Sequence, residues 1–331
     1  MTTPIYVASV MNTIPSTTKR HRIQYTVVGG TRPHSGGKLP RSLSIVLLNR
    51  GGRPFKSGVF DELSEIGAAE IISVEGPGHS YDVENLARKY PEVRFVLLDE
   101  SITVGERVNI GIEEAKSEFV FVLWNDLKLI AGFAERAFAN MVSDPILCTV
   151  PIIQNQRRET VPTIPVPALY RKRLKILPTQ ASADREAALY PFEYCGMYRK
   201  EQFSLLGGYD YLLRNAHWQK LDFGFRAFMW GERIHCSTSF RLQYRGDSPA
   251  EDTSRDQSYK LFFLKNLAVR FNRDSGKLPP GKLPGYLLRS GGGLLSAYRE
   301  FREVSRWVSL NQYRFRQDAK SVTELWEKPE S

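Results

Sequence analysis

The sequence predicts an α/β protein whose core is a doubly wound, mostly parallel β-sheet flanked by helices. Between residues 43 and 154, short apolar runs begin about every 25 residues and alternate with segments of helical periodicity. A run that is apolar at every position is typical of a strand buried on both faces, as in a parallel sheet. Strands that alternate with helices in this way form βαβ units, and the fold class follows from that.

Each predicted element rests on its own local pattern. The first strand, 44–49, is a nearly continuous apolar run, and the helix after it carries Val59, Leu63 and Ile66 on one face. The later strands are predicted at 70–75, 93–99, 118–124 and 146–153, and the later helices at 82–90, 105–116, 259–271 and 294–316. Two stretches rich in proline or glycine, 154–190 and 274–293, are predicted to be a long loop and a linker.

The predicted organisation is one large domain with a basic segment at each end. Residues 1–41 form an N-terminal extension, 42–150 and 151–271 are the two halves of the domain, and 272–331 form a C-terminal linker with an amphipathic helix. The extension has six Lys/Arg and no acid, and residues 255–320 have fourteen Lys/Arg and five acids, within a net charge of +10. Basic ends favour an anionic partner (a nucleotide, a phospholipid surface or nucleic acid) or serve solubility alone.

Several classes of protein are disfavoured by what the sequence lacks. Its N-terminus has no apolar segment of the secretory kind, and no apolar run approaches the roughly 18–20 residues of a membrane span. Cys148, Cys195 and Cys236 match no metal-binding spacing and are predicted to be reduced thiols in a cytoplasmic protein. The helix at 294–316 mixes Trp, Tyr and Leu with Arg, so it either packs against the domain or lies peripherally on the inner face of the membrane.

The stretch that organises the chain is the strand 118–124 and the polar residues that follow it. Six apolar residues, Phe119 to Trp124, are followed at once by Asn125 and Asp126. Open α/β sheets bind ligands beyond the carboxyl ends of their strands, so these two polar residues are predicted to face a ligand. The Asp126 carboxylate is also a candidate ligand for a divalent cation.

A series of motifs follows the order of the predicted elements. They are Asn49 at the end of the first strand, Val74-Glu75-Gly76 at the end of the second, Gly105-Glu-Arg-Val-Asn109-Ile-Gly111-Ile112-Glu-Glu-Ala115, Trp124-Asn125-Asp126, Phe203-Ser-Leu-Leu-Gly207-Gly208-Tyr209-Asp210, and Asp222-Phe-Gly-Phe-Arg226. In this order they resemble the family 2 glycosyltransferases of the GT-A fold, over roughly residues 43–271. The segment that begins at Gly105 is the most specific match.

The resemblance implies an enzyme that moves a sugar from a nucleotide-sugar donor to a glycan or lipid-linked acceptor, by direct displacement with inversion, in glycan or cell-envelope assembly. It places the donor on residues 42–150 and the acceptor on 151–271. The donor-binding residues it implies are Asn49, Glu75, Arg107, Asn109, Trp124, Asn125 and Asp126. The catalytic residues it implies are Asp222, Asp210 and Lys220, and the acceptor-binding residues are Trp218, Gly208 and Arg226.

Three departures from the family pattern fall at chemically important positions. Trp124 stands where the first carboxylate of the Asp-x-Asp motif is usual, Lys220 stands at the usual base, and Tyr244 stands at the usual histidine. Asp126 is then a lone candidate ligand for Mn²⁺ or Mg²⁺, and a requirement for either cation is doubtful.

Two accounts of the chemistry stay open. In the first, the enzyme works without a tightly held metal: Lys220, Arg245 or Arg226 offsets the charge of the donor diphosphate, and Asp222 or Asp210 is the base. In the second, the chain is a catalytically inactive protein of this fold that binds a nucleotide sugar or acts as a scaffold. A nucleic-acid binder is a third class, but no recognised motif supports it, so no nucleic-acid partner is predicted.

Overall fold

A computed structural model of the protein describes residues 5–9, 22–31, 43–50, 56–78, 80–130, 138–139, 142–143, 145–171, 173–247, 250–289 and 293–326. The strands are β1 (Ile5–Ser9), β2 (Arg22–Gly29), β3 (Leu43–Leu48), β4 (Glu70–Glu75), β5 (Val93–Leu98), β6 (Phe119–Trp124), β7 (Leu127–Leu129), β8 (Cys148–Gln154), β9 (Ile164–Tyr170), β10 (Arg173–Thr179), β11 (Gly196–Arg199), β12 (Ile234–Tyr244), β13 (Arg270–Asn272) and β14 (Ser275–Lys277).

The helices alternate with the first strands and then gather in the second half of the chain. They are α1 (Lys56–Ile66), α2 (Ser80–Lys89), α3 (Val104–Glu114), α4 (Lys200–Leu206), α5 (Ala216–Met229), α6 (Gln257–Phe262), α7 (Leu283–Arg289), α8 (Leu294–Leu310) and α9 (Ala319–Glu324). A π-helical segment, Phe263–Leu267, continues α6, and a short 3₁₀ turn covers Phe192–Tyr194.

Ten of the described strands form one sheet in the order β1-β2-β5-β4-β3-β6-β11-β8-β12-β7. Its centre, β5-β4-β3-β6, is parallel, and every residue of β3 and β6 is buried. This is the mixed α/β architecture, with a central parallel sheet flanked by helices, that the apolar runs predict. Because the central strands are parallel, their carboxyl ends meet at one edge, where Asn49, Glu75 and Asn125 lie close to one another.

The packing of α3 on this sheet explains the most specific sequence motif. A Cβ atom at Gly111 would lie 2.4 Å from Cγ1 of Val46 in β3, so glycine lets the helix approach the sheet this closely. At the other end of α3, Thr103 and Glu106 form a capping box that satisfies the first backbone N–H groups. The motif therefore encodes how the helix is placed against the strands that carry the site.

Two stretches differ from the sequence prediction. Arg22–Gly29, inside the predicted 1–41 extension, is strand β2 and pairs with β5, so it belongs to the sheet. Gly29 and Gly30 have φ of 84° and 66° and end this strand. The predicted loop 154–190 contains the hairpin β9-β10, a two-stranded ribbon whose edges tolerate proline. The remaining residues of the predicted extension, apart from β1 and 30–31, lie outside the described residues.

Within the predicted C-terminal linker and helix, 272–331, helix α8 packs on the domain. Five residues of α8 are buried: Ala297, Phe301, Val304, Trp307 and Val308. The Trp307 ring stacks on the Trp230 ring of the domain, with 5.9 Å between the ring centroids. This contact is the one expected if the helix packs against the domain. Leu294 and Leu295 are 65% and 84% exposed, and peripheral membrane contact stays a prediction. In the described ranges, no helix combines the length and hydrophobicity that crossing a bilayer requires.

Candidate active site

Asn49 and Glu75 meet where β3 and β4 end. Asn49 donates from Nδ2 to the side chains of Ser73 and Glu75, both at 3.1 Å. Glu75 is fully buried and also accepts a hydrogen bond from the Ser73 hydroxyl. Its carboxylate therefore holds the Asn49 side chain in place, whereas the sequence predicted that Glu75 contacts the donor directly. Oδ1 of Asn49 is buried and has no hydrogen-bond partner among the described residues. Leaving a buried acceptor unpaired is costly, so this oxygen is suited to an N–H group of a ligand.

Arg107 of α3 brings a positive charge to the same corner. Its Nη1 donates to the backbone carbonyl of Asn49 at 3.3 Å. Burial lowers the pKa of Arg107, and the nearby Glu75 carboxylate partly offsets that effect. A guanidinium stays protonated at neutral pH even so, because its ordinary pKa is above about 12. The corner therefore combines an amide and a cation, a pairing suited to the nucleoside end of a nucleotide.

Arg50 lies on the Trp124 ring, with its guanidinium carbon 4.2 Å from the ring centroid. Its Nη1 is 3.5 Å from Oδ2 of Asp126, and its backbone N–H donates to the Asn125 side chain at 3.2 Å. Trp124 is itself fixed, because its Nε1 donates to the carbonyl of Glu193 at 2.8 Å. The end of β6 therefore holds a cation in place through a cation–π contact, an ion pair and a hydrogen bond.

Five side chains of alternating charge and a histidine form what we term the charged cluster: Asp126, Arg50, Glu193, Lys220, Glu251 and His217. Nη2 of Arg50 pairs with Glu193. Nζ of Lys220 lies 3.8 Å from Oε1 of Glu193 and 2.5 Å from Oε1 of Glu251. Nδ1 of His217 lies 3.1 Å from Oε2 of Glu251. Each ionised group thus has an opposite charge beside it, as charges withdrawn from water require.

Glu193 lies at the centre of the charged cluster on a strained turn. Its φ is 52° and that of Tyr194 is 61°, in the left-handed region that side chains other than glycine rarely adopt. Each such residue costs about 1–3 kcal/mol, and strain of this kind concentrates at functional sites. The turn is held by Trp124 Nε1 and by the Tyr198 hydroxyl, which donates to the carbonyl of Tyr194 at 2.8 Å. The Glu193 carboxylate is therefore positioned before any ligand binds.

The ionisation of Glu251 is coupled to the stability of the fold. Burial raises the pKa of Glu251, but its contacts with His217 and Lys220 outweigh burial and lower the pKa to about 2. Because this value lies below the ordinary 4.5, the ionised group stabilises the fold above about pH 4.5, and that contribution is lost as the pH falls towards about 2.

We expect Glu251→Gln to lower the free energy of unfolding at pH 7, and the deficit relative to wild type to shrink between about pH 4.5 and pH 2. Urea unfolding, monitored by tryptophan fluorescence, measures the free energy of unfolding at pH 7 and its dependence on pH. Glu84→Gln, at an exposed helix position, is the control and should change neither value. A deficit that is independent of pH would show that the charge of Glu251 is not what stabilises the fold.

The carboxylates predicted to be catalytic, Asp222 and Asp210, lie in a separate buried network. Asp222 is 0% exposed and Asp210 is 1% exposed. Both pair with Lys265, whose Nζ lies 2.9 Å from Asp222 and 2.7 Å from Asp210. Burial raises the pKa of Asp222, but Lys265 and Arg226 outweigh it and lower the pKa. Arg226 also donates to the carbonyl of Gly208 at 2.8 Å. Both carboxylates and Arg226 therefore have partners inside the core, and their catalytic and acceptor-binding roles stay predictions.

Three further predicted site residues also have structural contacts. The side chain of Asn109 forms two hydrogen bonds of 2.8 Å with the backbone of Tyr209: its Nδ2 donates to the carbonyl and its Oδ1 accepts from the N–H. Gly208 has φ 63°, and a Cβ there would lie 2.6 Å from Oδ1 of Asn109. Nε1 of Trp218 donates to the carbonyl of Ser254 at 2.6 Å. These contacts hold a turn and a helix in place, and the donor role of Asn109 and the acceptor roles of Gly208 and Trp218 stay predictions.

The residues around Asp126 do not fit a tightly held divalent cation. Mn²⁺ and Mg²⁺ prefer several oxygen ligands, and no group of three or more His, Cys, Asp or Glu in the described part of the chain could hold a metal ion. Oδ1 of Asp126 is buried without a hydrogen-bond partner, but Oδ2 already faces the Arg50 guanidinium at 3.5 Å. Trp124 supplies no oxygen. A guanidinium therefore lies where the resemblance places a metal.

Sequence reasoning missed four members of the charged cluster: Arg50, Glu193, Glu251 and His217. Arg50 had a signal, since it follows the strand-end residue Asn49 directly. Glu193 and Glu251 lie on a turn and in an irregular segment, and the fold alone brings them together. Of the cations predicted to replace a metal, Lys220 is in the cluster, whereas Arg245 pairs with Glu62 at 2.5 Å.

The fold is similar to that of solved glycosyltransferase structures. GalNAc-T7, in a crystal structure with UDP, GalNAc and Mn²⁺, gives a TM-score of 0.52 and 13% identity over 86% of this chain and 58% of that one. The chain therefore spans less than two thirds of GalNAc-T7. A fragment of S. aureus TarS, residues 1–349, in complex with UDP-GlcNAc gives a TM-score of 0.48 and 12% identity, over 87% of this chain and 76% of that one. No protein-family model and no curated protein sequence matches the chain.

The likeness to GalNAc-T7 shows the fold. The chain is an α/β protein of GT-A-like architecture, which confirms the fold class predicted from its apolar runs.

Proposed function

We propose that the protein is a glycosyltransferase. It takes a nucleotide-sugar donor at the carboxyl edge of β3, β4 and β6 and transfers the sugar, with inversion, to a glycan or lipid-linked acceptor. The observation that carries the proposal is the charged cluster, which places the Arg50 cation beside the Glu193 carboxylate at the edge where this fold binds ligands. GalNAc-T7, which has a similar fold, is solved with UDP and GalNAc.

The donor is proposed to lie across two parts of the edge. Its nucleoside contacts Asn49, whose unpartnered Oδ1 accepts a hydrogen bond, and Arg107, whose Nε has no hydrogen-bond partner among the described residues. Its diphosphate contacts Arg50. Asn49 and Arg50 directly follow β3, and Arg107 lies on α3, so parts of the domain core place all three before the donor arrives.

Arg50 supplies the charge that the leaving diphosphate needs. When the bond between the sugar and the diphosphate breaks, negative charge grows on the leaving oxygen. A guanidinium binds phosphate oxygens through paired N–H groups, and Nη1 of Arg50 has no hydrogen-bond partner in the described part of the chain. Trp124 and Asp126 already hold the guanidinium in place, so little reorganisation is needed at the moment of reaction.

Glu193 is proposed as the proton acceptor. As the acceptor hydroxyl attacks the anomeric carbon, a carbon–oxygen bond forms, the bond to the diphosphate breaks, and the hydroxyl proton goes to a carboxylate. Glu251 is a poor proton acceptor because its pKa is lowered to about 2. Glu193 keeps 13% of its side chain exposed and lies between Arg50 and Lys220. Lys220 then orients both glutamates.

The second candidate function is a catalytically inactive protein that binds a nucleotide sugar or acts as a scaffold. One observation favours it: each carboxylate of the charged cluster already faces a cation. In that case the donor binds and no sugar is transferred to acceptor or water, so a measurement of turnover separates the two functions.

Calorimetric titration with UDP-, GDP- and dTDP-sugars tests donor binding. We expect one of them to bind, and Arg107→Ala to weaken that binding by about tenfold, because a hydrogen bond to a charged group contributes about 1.5–3 kcal/mol. Arg88→Ala is the matched control, since Arg88 is 79% exposed on α2 and its substitution should leave the dissociation constant unchanged. If none of the nucleotide sugars binds, the proposed function is wrong.

A further inference from the structure

A cavity of ≈ 480 Å³ lies between α7 and the helix formed by α6 and its π-helical continuation. None of its lining residues belongs to the charged cluster. On α7 and the turn before it, the lining residues are 281, 282, 285, 286 and 289, which is the spacing of one helical face. The cavity is therefore walled by the faces of two helices, and its volume suits a small ligand.

The charge of the cavity is strongly positive. Arg255, Lys260, Lys282 and Arg289 line it, and Asp256 is the acid among the lining residues. The Asp256 carboxylate is already used, because it caps α6 by accepting from the backbone N–H of Ser258 at 2.9 Å. Neither Lys282 nor Arg289 forms an ion pair with another described residue. A cavity with several cations and little opposing charge selects an anion.

Its walls are aromatic. Tyr259, Phe263 and Tyr286 line the space, and the guanidinium carbon of Arg255 lies 4.9 Å from the Tyr259 ring centroid. The Tyr286 hydroxyl donates to the Glu300 carboxylate, so that polar group is already satisfied. Aromatic rings beside cations suit a ligand that joins an anionic group to an apolar part.

Gly285 keeps the cavity open. It lies inside α7, where glycine destabilises a helix relative to alanine. A Cβ atom at this position would meet no atom within 4 Å, so packing does not require glycine here. Because Gly285 lines the cavity, a longer side chain would occupy the space that a ligand needs.

We propose that this cavity is a second binding site and that it takes an organic phosphate whose organic part is apolar. Lys282 and Arg289 bind the phosphate through charge-assisted hydrogen bonds, and the rings of Tyr259 and Phe263 contact the apolar part. The site is separate from the charged cluster, and it binds this ligand whether or not the chain transfers sugar.

Calorimetric titration of the full chain with octyl phosphate, below its micelle concentration, tests the ligand class. We expect octyl phosphate to bind at least about tenfold more tightly than either inorganic phosphate or octyl glucoside, since both the charge and the apolar chain contribute. Equally tight binding of inorganic phosphate would overturn the apolar part of the proposal. Equally tight binding of octyl glucoside would overturn the phosphate part.

Two variants test the location. Gly285→Leu should weaken the binding of octyl phosphate by about tenfold, because the leucine side chain fills the cavity. Gly58→Leu on α1, where an added Cβ also meets nothing within 4 Å, is the matched control and should bind as wild type does. A double charge reversal, Lys282→Glu with Arg289→Glu at two exposed positions, should give a similar loss even if Gly285→Leu does not fold. Unchanged affinity in the double variant, or in a folded Gly285→Leu, overturns the proposal.

Discussion

Replacing Glu193 by glutamine should lower the rate of sugar transfer by about 10²–10⁴-fold, because a positioned general base contributes this much to catalysis. Glutamine keeps the shape of the side chain but cannot accept the proton of the attacking hydroxyl. The nucleotide sugar should still bind, since Arg50 remains on Trp124 beside Asp126. Turnover is measured as release of nucleoside diphosphate, with a supplied acceptor or water taking the sugar.

The same change at the other glutamate of the charged cluster is the control. Glu251→Gln should lower turnover by less than about tenfold, because a carboxylate whose pKa is lowered to about 2 is a poor proton acceptor. If Glu193→Gln keeps the wild-type turnover, the base has been misassigned. If the wild-type protein binds the donor but never releases nucleoside diphosphate, the inactive binder is the right account.

Replacing Lys265 by methionine should lower the free energy of unfolding by about 3–5 kcal/mol, because it leaves buried carboxylates without their cation. Lys265 is fully buried between Asp210 and Asp222, at 2.7 Å and 2.9 Å. Methionine has a similar length, so little volume is lost. Urea unfolding measures the change.

Lys320→Met is the matched control for this change. Lys320 is 60% exposed and pairs with Glu324 at 3.5 Å, so its loss should cost less than about 1 kcal/mol. Turnover per folded molecule should be close to that of wild type in Lys265→Met, because the buried network does not contact the charged cluster in the described structure. Wild-type stability combined with lost turnover would instead restore Asp222 or Asp210 as a catalytic group.

The central strands are predictable from sequence because each is mostly apolar, with few polar residues inside it. β3, β4, β5 and β6 are buried on both faces, so each is a short apolar run whose ends fall close to the predicted ones. β2 is harder to predict, because Gly29 and Gly30 read as a loop and the strand is defined by pairing with β5. The hairpin β9-β10 contains prolines at 165, 167 and 178, which usually signal irregular chain.

The site is predictable only where it follows from a strand end. Asn125 and Asp126 are predicted to face a ligand because they terminate β6. Glu193 and Glu251 belong to no periodic pattern, and nothing local distinguishes them from solvated acids. The motif at Asp222 gives no sign of its surroundings: Lys265, 43 residues further along, pairs with it in the core. Ion pairing between distant segments cannot be read from one segment alone.

Arg50 is proposed to stand in place of a metal ion in binding the donor diphosphate. The most direct test is the dissociation constant of the nucleotide sugar, measured in EDTA and in Mn²⁺, for wild type, Arg50→Lys and Arg50→Met. We expect the dissociation constant of the wild-type protein to be the same in EDTA and in Mn²⁺. Arg50→Met should weaken binding by about 10–100-fold in both, and Arg50→Lys by less, because an ammonium keeps the charge but cannot bind two phosphate oxygens in a fork. Wild-type binding that needs Mn²⁺, or Arg50→Met binding as tightly as wild type, would contradict this role of Arg50.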